Sequence, residues 1–118
     1  MTKEWSDNPL FGKADILAKE VYRLTKCFPR NEQYGMTSQL RRAALSVILN
    51  IIEGFARQNI NEFRRFLYIS FGSLKETKYL LEFAKDQEYI SEEQYSVIYE
   101  YTEESAKLLW RTLHPKKE

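Results

Sequence analysis

Residues 39–57 of the chain have the sequence QLRRAALSVILNIIEGFAR, and this stretch decides the fold. We predict that it forms a helix. Apolar side chains surround most of its circumference, and its polar residues are confined to one narrow stripe. A surface helix of an isolated monomer exposes a broader polar face, so this helix is expected to be covered on more than one side.

The polar residues of this helix lie together. At 100° per residue they fall within a wedge of about 80°. The members of this polar wedge are Arg42, Ser46, Asn50, Glu53 and Arg57. Three interpretations are open: a buried hydrogen-bonded network, the lining of a subunit junction or central channel, or a contact with a ligand or phosphate. Arg41 lies outside the wedge, so the double arginine is not expected to form one site.

Two apolar faces flank the wedge. The face expected to contact the bundle core contains Leu40, Ala43, Ala44, Val47, Ile48, Ile51 and Phe55. The second flank contains Leu45, Leu49, Ile52 and Ala56. One core does not easily cover both faces. Either the second flank packs on another subunit, which we favour, or the helix is sunk deeply among three partner helices.

Local signals divide the rest of the chain into helices. Asn8-Pro9 is an N-cap with proline at the first helical position, and Ser91 begins a capping box that ends at Gln94. Thr37 and Asn61 are the predicted N-caps of the second and third helices. Within a single domain, residues 1–118, the predicted helices cover about 9–27, 37–58, 61–87 and 91–113.

Apolar seams join these helices into one core. In the first helix the seam has the alternating four- and three-residue intervals of a coiled coil, at Leu10, Ala14, Leu17, Val21, Leu24 and Phe28. The third helix repeats this pattern, and no stretch has the pattern of a strand. Four helices with short connections predict an all-α, antiparallel up-down four-helix bundle.

A second pattern on the third helix indicates an interface. Away from the core seam, an aromatic stripe contains Tyr68, Gly72, Glu76, Tyr79 and Phe83. Interfaces are enriched in aromatic residues, although scattered aromatics are also common on monomer surfaces. With the second flank of the preceding helix, the stripe predicts a homo-oligomer interface formed by Leu45, Leu49, Ile52, Tyr68, Gly72, Tyr79 and Phe83.

Composition limits the function classes. The 118 residues include 18 Lys and Arg and 17 Asp and Glu, for a net charge of +1, which argues against a polyanion binder that uses its whole surface. The single cysteine, Cys27, excludes an internal disulfide, fits a reducing compartment and is expected to be a small buried hydrophobe. No signal segment and no bilayer-spanning stretch is visible, so we expect a cytoplasmic protein with no membrane partner.

The residues that support catalysis are nearly absent. His114 is the only histidine, which removes triads based on histidine and the Glu-x-x-His pairs of di-iron bundles. No Cys/His spacing fits zinc. We therefore expect no catalytic residue, no metal and no cofactor, and the chain is not expected to be an enzyme.

Basic residues form the remaining candidate site. Arg57, Arg64 and Arg65 flank the predicted turn between the second and third helices, and Arg41 and Arg42 lie at the other end of the second helix. Tyr68 lies one turn beyond Arg64, where its ring is placed to stack on a base. A ring of subunits repeats each patch and gives multivalent binding to a phosphate backbone. The alternative is an ordinary solvated basic end.

Several of these motifs, taken in order, resemble the 23S rRNA intervening sequence proteins, a family of four-helix bundles. The resemblance covers roughly residues 14–90. It rests on Phe28-Pro29, Glu32, Tyr34 to Ala44, Ser46, Asn50, Glu53-Gly54-Phe55, Arg57, Phe63 to Leu67, Gly72-Ser73-Leu74 and Glu76. Where that family often has a proline, this chain has Ile48, which predicts a straighter second helix. Leu49 and Ile52 replace small residues of the family pattern.

The resemblance implies a bacterial protein that forms a homopentamer with a central channel. The accessory variability determinants of diversity-generating retroelements are similar in fold and partner a reverse transcriptase and nucleic acid. We therefore expect a non-enzymatic, ring-forming accessory protein that binds RNA, DNA or a ribonucleoprotein partner through repeated basic patches. The alternative is a homo-oligomeric scaffold that binds another protein and has no nucleic-acid role.

Overall fold

Helices form all the regular structure of residues 7–116, the range that the computed structural model describes. The four long helices are α1 (Pro9–Thr25), α2 (Met36–Phe55), α3 (Ile60–Asp86) and α4 (Glu92–Leu113), and a short 3-10 turn, Arg30–Glu32, precedes α2. Residues 1–6 and 117–118, which belong to the predicted single domain and the predicted signal-free N-terminus, lie outside the described range.

The helices pack in chain order. Each helix contacts its neighbours in sequence, and α1 closes the bundle against α4. Between α2 and α3, the Ser70 hydroxyl donates to the Val47 carbonyl at 2.7 Å, and the Ser46 and Ser73 hydroxyls lie 2.7 Å apart. Residue numbers therefore rise along α2 as they fall along α3, so the pair is antiparallel. The predicted all-α four-helix bundle is confirmed.

The core contains the seams that the sequence indicates. The α1 seam is buried along its whole length, at Leu10, Ala14, Leu17, Val21, Leu24 and Phe28. On α2, the predicted core face is buried except for Phe55, which is half-buried and stacks on the Phe63 ring with centroids 5.3 Å apart. Burial of these apolar side chains is the main favourable contribution to folding.

Gly54 sets the distance between α2 and α3. A Cβ atom at this position would lie 3.2 Å from the Phe63 carbonyl oxygen and 3.4 Å from side-chain atoms of Leu67 and Phe66. The missing side chain thus lets the two backbones approach closely near the end of α2.

The structure confirms two of the predicted N-caps. The Asn8 side chain accepts a hydrogen bond from the Leu10 backbone at 2.8 Å, with Pro9 at the first helical position. Ser91 and Gln94 form a reciprocal capping box at 2.9 and 3.0 Å. Each cap joins residues no more than three positions apart, so the sequence alone is enough to predict it.

The other two predicted N-caps are wrong. Helix α2 begins at Met36 after Gly35, and Thr37 is buried inside the helix, because the Glu32 carboxylate accepts the Met36 N–H at 3.0 Å. At α3 the cap is Asn59 rather than Asn61, since the Asn59 side chain accepts the N–H groups of Asn61 and Glu62 at 2.7 and 3.2 Å.

Helices α1 and α2 end two to three residues before the predicted positions. The chain tightens there into turns with bonds to the third preceding residue, as from the Phe28 N–H to the Thr25 carbonyl at 3.1 Å. Cys27 lies in this turn and is exposed, so the expectation of a buried cysteine is wrong. After α3, Glu88 adopts a left-handed φ of 65°, and the Tyr89 N–H donates to the Ala84 carbonyl at 2.9 Å.

Candidate functional site

The centre of the polar wedge faces α3. The hydroxyl of Ser46 lies 2.7 Å from that of Ser73 on α3. The Asn50 amide donates to the carbonyl and hydroxyl oxygens of Ser46 at 2.8 and 3.0 Å. All three side chains are half-buried. This part of the wedge is a small hydrogen-bonded network that links α2 to α3.

The ends of the wedge point to solvent. Arg57 and Glu53 form an exposed ion pair at 2.6 Å, a geometry that contributes only a few tenths of a kcal/mol. Arg42 is exposed, and within residues 7–116 no ion pair or hydrogen bond engages its guanidinium. Four wedge residues therefore lie on α2 and Arg57 follows its C-terminal end, and the five do not form a single network.

Arg41 contacts the end of α1. Its Nε donates to the Thr25 hydroxyl at 2.7 Å, and an Nη donates to the Tyr22 carbonyl at 3.4 Å. The guanidinium also lies 4.5 Å from the centre of the Tyr22 ring. A cation at a helix C-terminus is favourable, because the carbonyls there lack partners within the helix. Arg41 thus ties α2 to α1.

Arg64 contacts the end of α4, as Arg41 contacts the end of α1. One Nη donates to the Leu113 carbonyl, and the other lies 3.4 Å from the Tyr68 hydroxyl. The guanidinium is 5.6 Å from the centre of the Tyr68 ring. The Tyr68 hydroxyl is also 3.4 Å from Nε2 of His114. Arg64 and Tyr68 are therefore partly occupied by contacts within the fold.

Arg57 and Arg65 share one aromatic ring. Their guanidinium carbons lie 4.9 and 4.6 Å from the centre of the Phe66 ring. Arg65 also pairs with Glu62 at 3.2 Å, as Arg57 pairs with Glu53. The turn between α2 and α3 thus presents two exposed guanidinium groups, each with a neighbouring carboxylate.

The predicted nucleic-acid residues divide into two groups. Arg57, Arg64, Arg65 and Tyr68 come together near the α2–α3 turn, whereas Arg41 and Arg42 lie toward the N-terminal end of α2. The double arginine is also split, because Arg41 contacts α1 and Arg42 is exposed.

The predicted interface residues lie on the outer surfaces of α2 and α3. Leu49 is 54% exposed and Tyr79 is 60% exposed, and Tyr68, Gly72 and Phe83 are exposed as well. The Tyr79 and Phe83 rings are neighbours, with centroids 6.2 Å apart. Leu45 and Ile52 are half-buried against the core. A single chain therefore leaves apolar and aromatic side chains on the outer faces of these two helices uncovered.

Sequence reasoning missed a cationic and aromatic surface between α3 and α4. Its groove, of about 270 Å³, is lined by Phe71, Glu103, Ala106, Lys107, Trp110 and Arg111. Trp110 is 52% exposed, and its ring stacks on the His114 ring at 3.8 Å and lies 6.2 Å from the Phe71 ring. Lys75 adds a cation 5.2 Å from the Phe71 ring. We call Phe71, Lys75, Lys107, Trp110, Arg111 and His114 the Trp110 surface.

The only sequence signal for this surface was the short run of cations around a tryptophan, Lys107, Trp110 and Arg111. Phe71 and Lys75 join them only through the packing of α3 on α4. The carboxylate in the groove, Glu103, lies 2.6 Å from Lys78. Their hydrogen bond raises the pKa of the Lys78 ammonium and lowers the pKa of the Glu103 carboxyl. Both groups therefore remain charged at neutral pH.

The described residues offer little else for chemistry. Within residues 7–116, no three His, Cys, Asp or Glu side chains are grouped to hold a metal ion. No helix in this range is long and apolar enough to cross a bilayer. The His114 ring is engaged by Trp110 and Tyr68, since its Nδ1 lies 3.1 Å from the Trp110 carbonyl and its Nε2 contacts the Tyr68 hydroxyl.

The chain is similar in sequence to one protein family and in fold to a solved structure. A family model described as 23S rRNA-intervening sequence protein matches residues 6–111. A crystal structure from Bacteroides thetaiotaomicron, described as a protein with unknown function from the S23 ribosomal protein family, superposes with a TM-score of 0.84 at 30% identity. The superposition covers 91% of this chain and 96% of that one. No curated protein matches the chain.

Proposed function

Because the chain belongs to the 23S rRNA-intervening sequence protein family, we propose that it is a non-enzymatic accessory protein that assembles into a ring and binds nucleic acid. The ring would be a homopentamer that acts in the cytoplasm. The single observation that carries this proposal is the exposure of apolar and aromatic side chains on the outer faces of α2 and α3, among them Leu49, which is 54% exposed. Large exposed apolar surfaces of this kind mark interaction sites.

Self-assembly explains why α2 is apolar on two sides. One side packs in the core, and the other presents Leu49 between the half-buried Leu45 and Ile52. On α3, Tyr79 and Phe83 form an exposed aromatic pair. Aromatic side chains and a small residue such as Gly72 are suited to a close, well-packed contact. We infer that a second copy of the chain covers these exposed side chains.

Nucleic-acid binding follows from repetition of the α2–α3 turn. In one chain, Arg57 and Arg65 are flanked by carboxylates, so a single turn is a weak phosphate site. A ring places several copies of this turn on one assembly, and contacts that are weak singly become strong through effective concentration. Such binding weakens steeply with salt, because counterions are released from the phosphate backbone.

The test measures the mass of the assembly and its binding to nucleic acid. We expect light scattering to give a mass of several chains, and the assembly to bind a structured RNA or DNA more weakly at 200 mM than at 50 mM salt. The variant R57Q/R65Q should lower the salt dependence, whereas K19Q/K26Q, on α1 and at its C-terminal cap, should not. A mass of one chain removes the assembly, and the absence of salt-sensitive binding removes the nucleic-acid role.

One observation favours a second candidate function, a homo-oligomeric protein scaffold. Arg41 and Arg64 are engaged by helix ends, and Arg57 and Arg65 have carboxylate partners, so few of the five arginines are unpaired. A protein partner that remains bound after nuclease treatment, together with no binding of purified nucleic acid, would support the scaffold over the accessory protein.

A further inference from the structure

We propose that the Trp110 surface binds single-stranded nucleic acid, with a base stacked on Trp110 and phosphates held by Lys75, Lys107 and Arg111. This inference rests on the proposed nucleic-acid role and names a site for it that lies away from the predicted arginines of α2. It also specifies the substrate class, because stacking on an exposed ring requires an unpaired base.

The geometry of the rings supports stacking. Trp110 is half-exposed although it is the largest side-chain type, and two other rings of the fold contact it, so part of the side chain remains open to a base. His114 stacks on it at 3.8 Å with an interplanar angle of 27°, and Phe71 supports it at 6.2 Å. A ring fixed in this way is preorganised, so a base that stacks on it loses little binding energy to ordering of the protein.

The charge around the rings favours a phosphate backbone. Lys107 lies one turn before Trp110 on α4, and Arg111 follows it directly, so both cations flank the ring. Lys75 approaches from α3, where its ammonium lies 5.2 Å from the Phe71 ring. The carboxylate that lines the groove, Glu103, is already paired with Lys78 at 2.6 Å. The local balance is therefore positive, in contrast to the near-neutral chain.

The alternation of cations and rings continues along α3 and α4. Each of three further cations lies over an aromatic ring: Arg64 over Tyr68 at 5.6 Å, Lys78 over Tyr99 at 5.2 Å and Lys85 over Tyr95 at 4.7 Å. Because Lys78 is the partner of Glu103, it contributes its contact with the ring but no net charge. From Arg64 to Lys85 the helix rises about 31 Å at 1.5 Å per residue. That length corresponds to about nine stacked nucleotides at 3.4 Å each, and interleaved rings and cations are the features that sequence-tolerant single-strand sites share.

The experiment measures binding of a labelled 15-nucleotide oligouridine by fluorescence anisotropy, with a hairpin duplex and oligothymidine as competitors. We expect W110A to weaken binding about 5- to 150-fold and W110F to retain most of it, since the ring is kept. The matched control is Y34A, because Tyr34 is 89% exposed in the connection at the other end of the bundle. K107Q/R111Q should lower the salt dependence by about two phosphate contacts, and K19Q/K26Q should not change it.

A direct readout uses the fluorescence of Trp110 in a W5F background. Saturating oligouridine should quench it, and the duplex should not. If the wild-type assembly binds no nucleic acid, the proposed function and this inference both fail. If it binds, but W110A and K107Q/R111Q bind as tightly as wild type while R57Q/R65Q does not, only this inference is overturned. Equal binding of duplex and single strand at the Trp110 surface would overturn it as well.

Discussion

The carboxylate of Glu32 and the hydroxyl of Tyr89, 57 residues apart in the chain, are joined by a hydrogen bond of 2.7 Å. The other oxygen of Glu32 accepts the Met36 N–H at 3.0 Å, so one carboxylate caps α2 and holds the segment after α3. The Phe28 ring packs on the Tyr89 ring at 5.3 Å and completes the contact. This end of the bundle is thus closed by a charged side chain from the 3-10 turn.

Stability is expected to fall in acid through Glu32. The Met36 N–H, and then the Tyr89 hydroxyl, lower the pKa of the Glu32 carboxyl from its ordinary value of 4.5. A carboxyl whose pKa is lower in the folded state stabilises the fold above its ordinary pKa and loses that contribution as pH falls below it. Denaturant unfolding should therefore show wild type above E32Q at pH 7 and the difference shrinking below about pH 4.5.

Two variants control this experiment. Y89F removes one of the two donors, so the pKa of Glu32 in the folded state should lie closer to its ordinary value. The loss of stability in acid should then be smaller than in wild type and complete at a higher pH. E100Q removes a carboxylate from the exposed face of α4 and controls for the change of one surface charge. A difference between wild type and E32Q that stays constant from pH 7 to pH 3 would contradict the assignment.

The adjacent arginines should behave differently. R41A removes the bonds to Thr25 and Tyr22 and is expected to cost about 1.5–3 kcal/mol of unfolding free energy. R42A removes an exposed side chain and should change stability by no more than about 0.5 kcal/mol. Urea unfolding of the two variants checks the contrast, and equal losses would show that the Arg41 contacts do not stabilise the fold.

Two glycines test the approach of α2 to α3. G54A forces a Cβ against the Phe63 carbonyl, and overpacking of this kind costs about 1–3 kcal/mol, offset by about 1 kcal/mol of helix propensity. We expect a net loss of stability. A Cβ at Gly12 on α1 meets no atom within 4 Å, so G12A should gain about 0.5–1 kcal/mol. Thermal unfolding that moves both variants in the same direction would contradict the close approach.

The turn after α3 contains a residue, Glu88, whose replacement by glycine should stabilise the fold. Glu88 adopts a φ of 65°, which costs an L-residue about 1 kcal/mol that glycine does not pay. We expect E88G to raise the midpoint of thermal unfolding by about 4 °C. The control is E88A, which removes the same charge but keeps the Cβ and should give no such gain.

Assembly should depend on Leu49, and the chain should still fold when this residue is changed. L49E places a charge on the apolar surface of α2, and because Leu49 is more than half exposed in one chain, the helix content should not change. We expect the light-scattering mass to fall to that of a single chain. I16E, on the exposed side of α1, is the matched control and should keep the wild-type mass. L49E with the wild-type mass would exclude this surface as the interface.

The parts of the fold that sequence predicts depend on near neighbours. The Asn8 cap, the Ser91 box and the α1 seam follow from residues within one or two turns of each other. Thr37 fails as a cap because Glu32 supplies an acceptor from a separate turn. Asn61 fails because Asn59, two residues earlier, accepts the same backbone N–H groups that a cap must satisfy.

The candidate site shows the same division. The wheel of α2 correctly separates Arg41 from the polar wedge, since this depends only on helix geometry. The partners of the arginines are distant in sequence: Arg41 bonds to Thr25, 16 residues away, and Arg64 to Leu113, 49 residues away. The Trp110 surface combines residues of α3 and α4, and only the docked helices bring Phe71 to Trp110. Periodicity within one helix does not contain this information.

Tyr68 connects the two surfaces on which the proposals rest. It lies on the outer face of α3, its hydroxyl contacts His114, and His114 stacks on Trp110. A subunit that packs on Tyr68 would therefore hold His114 in place, and through it the Trp110 ring on which the base stacks. By thermodynamic linkage, whatever factor assembly adds to nucleic-acid affinity, nucleic acid adds to assembly. The protein would then be cooperative: a rise in its own concentration would tighten its hold on a single strand, and the strand would recruit further subunits.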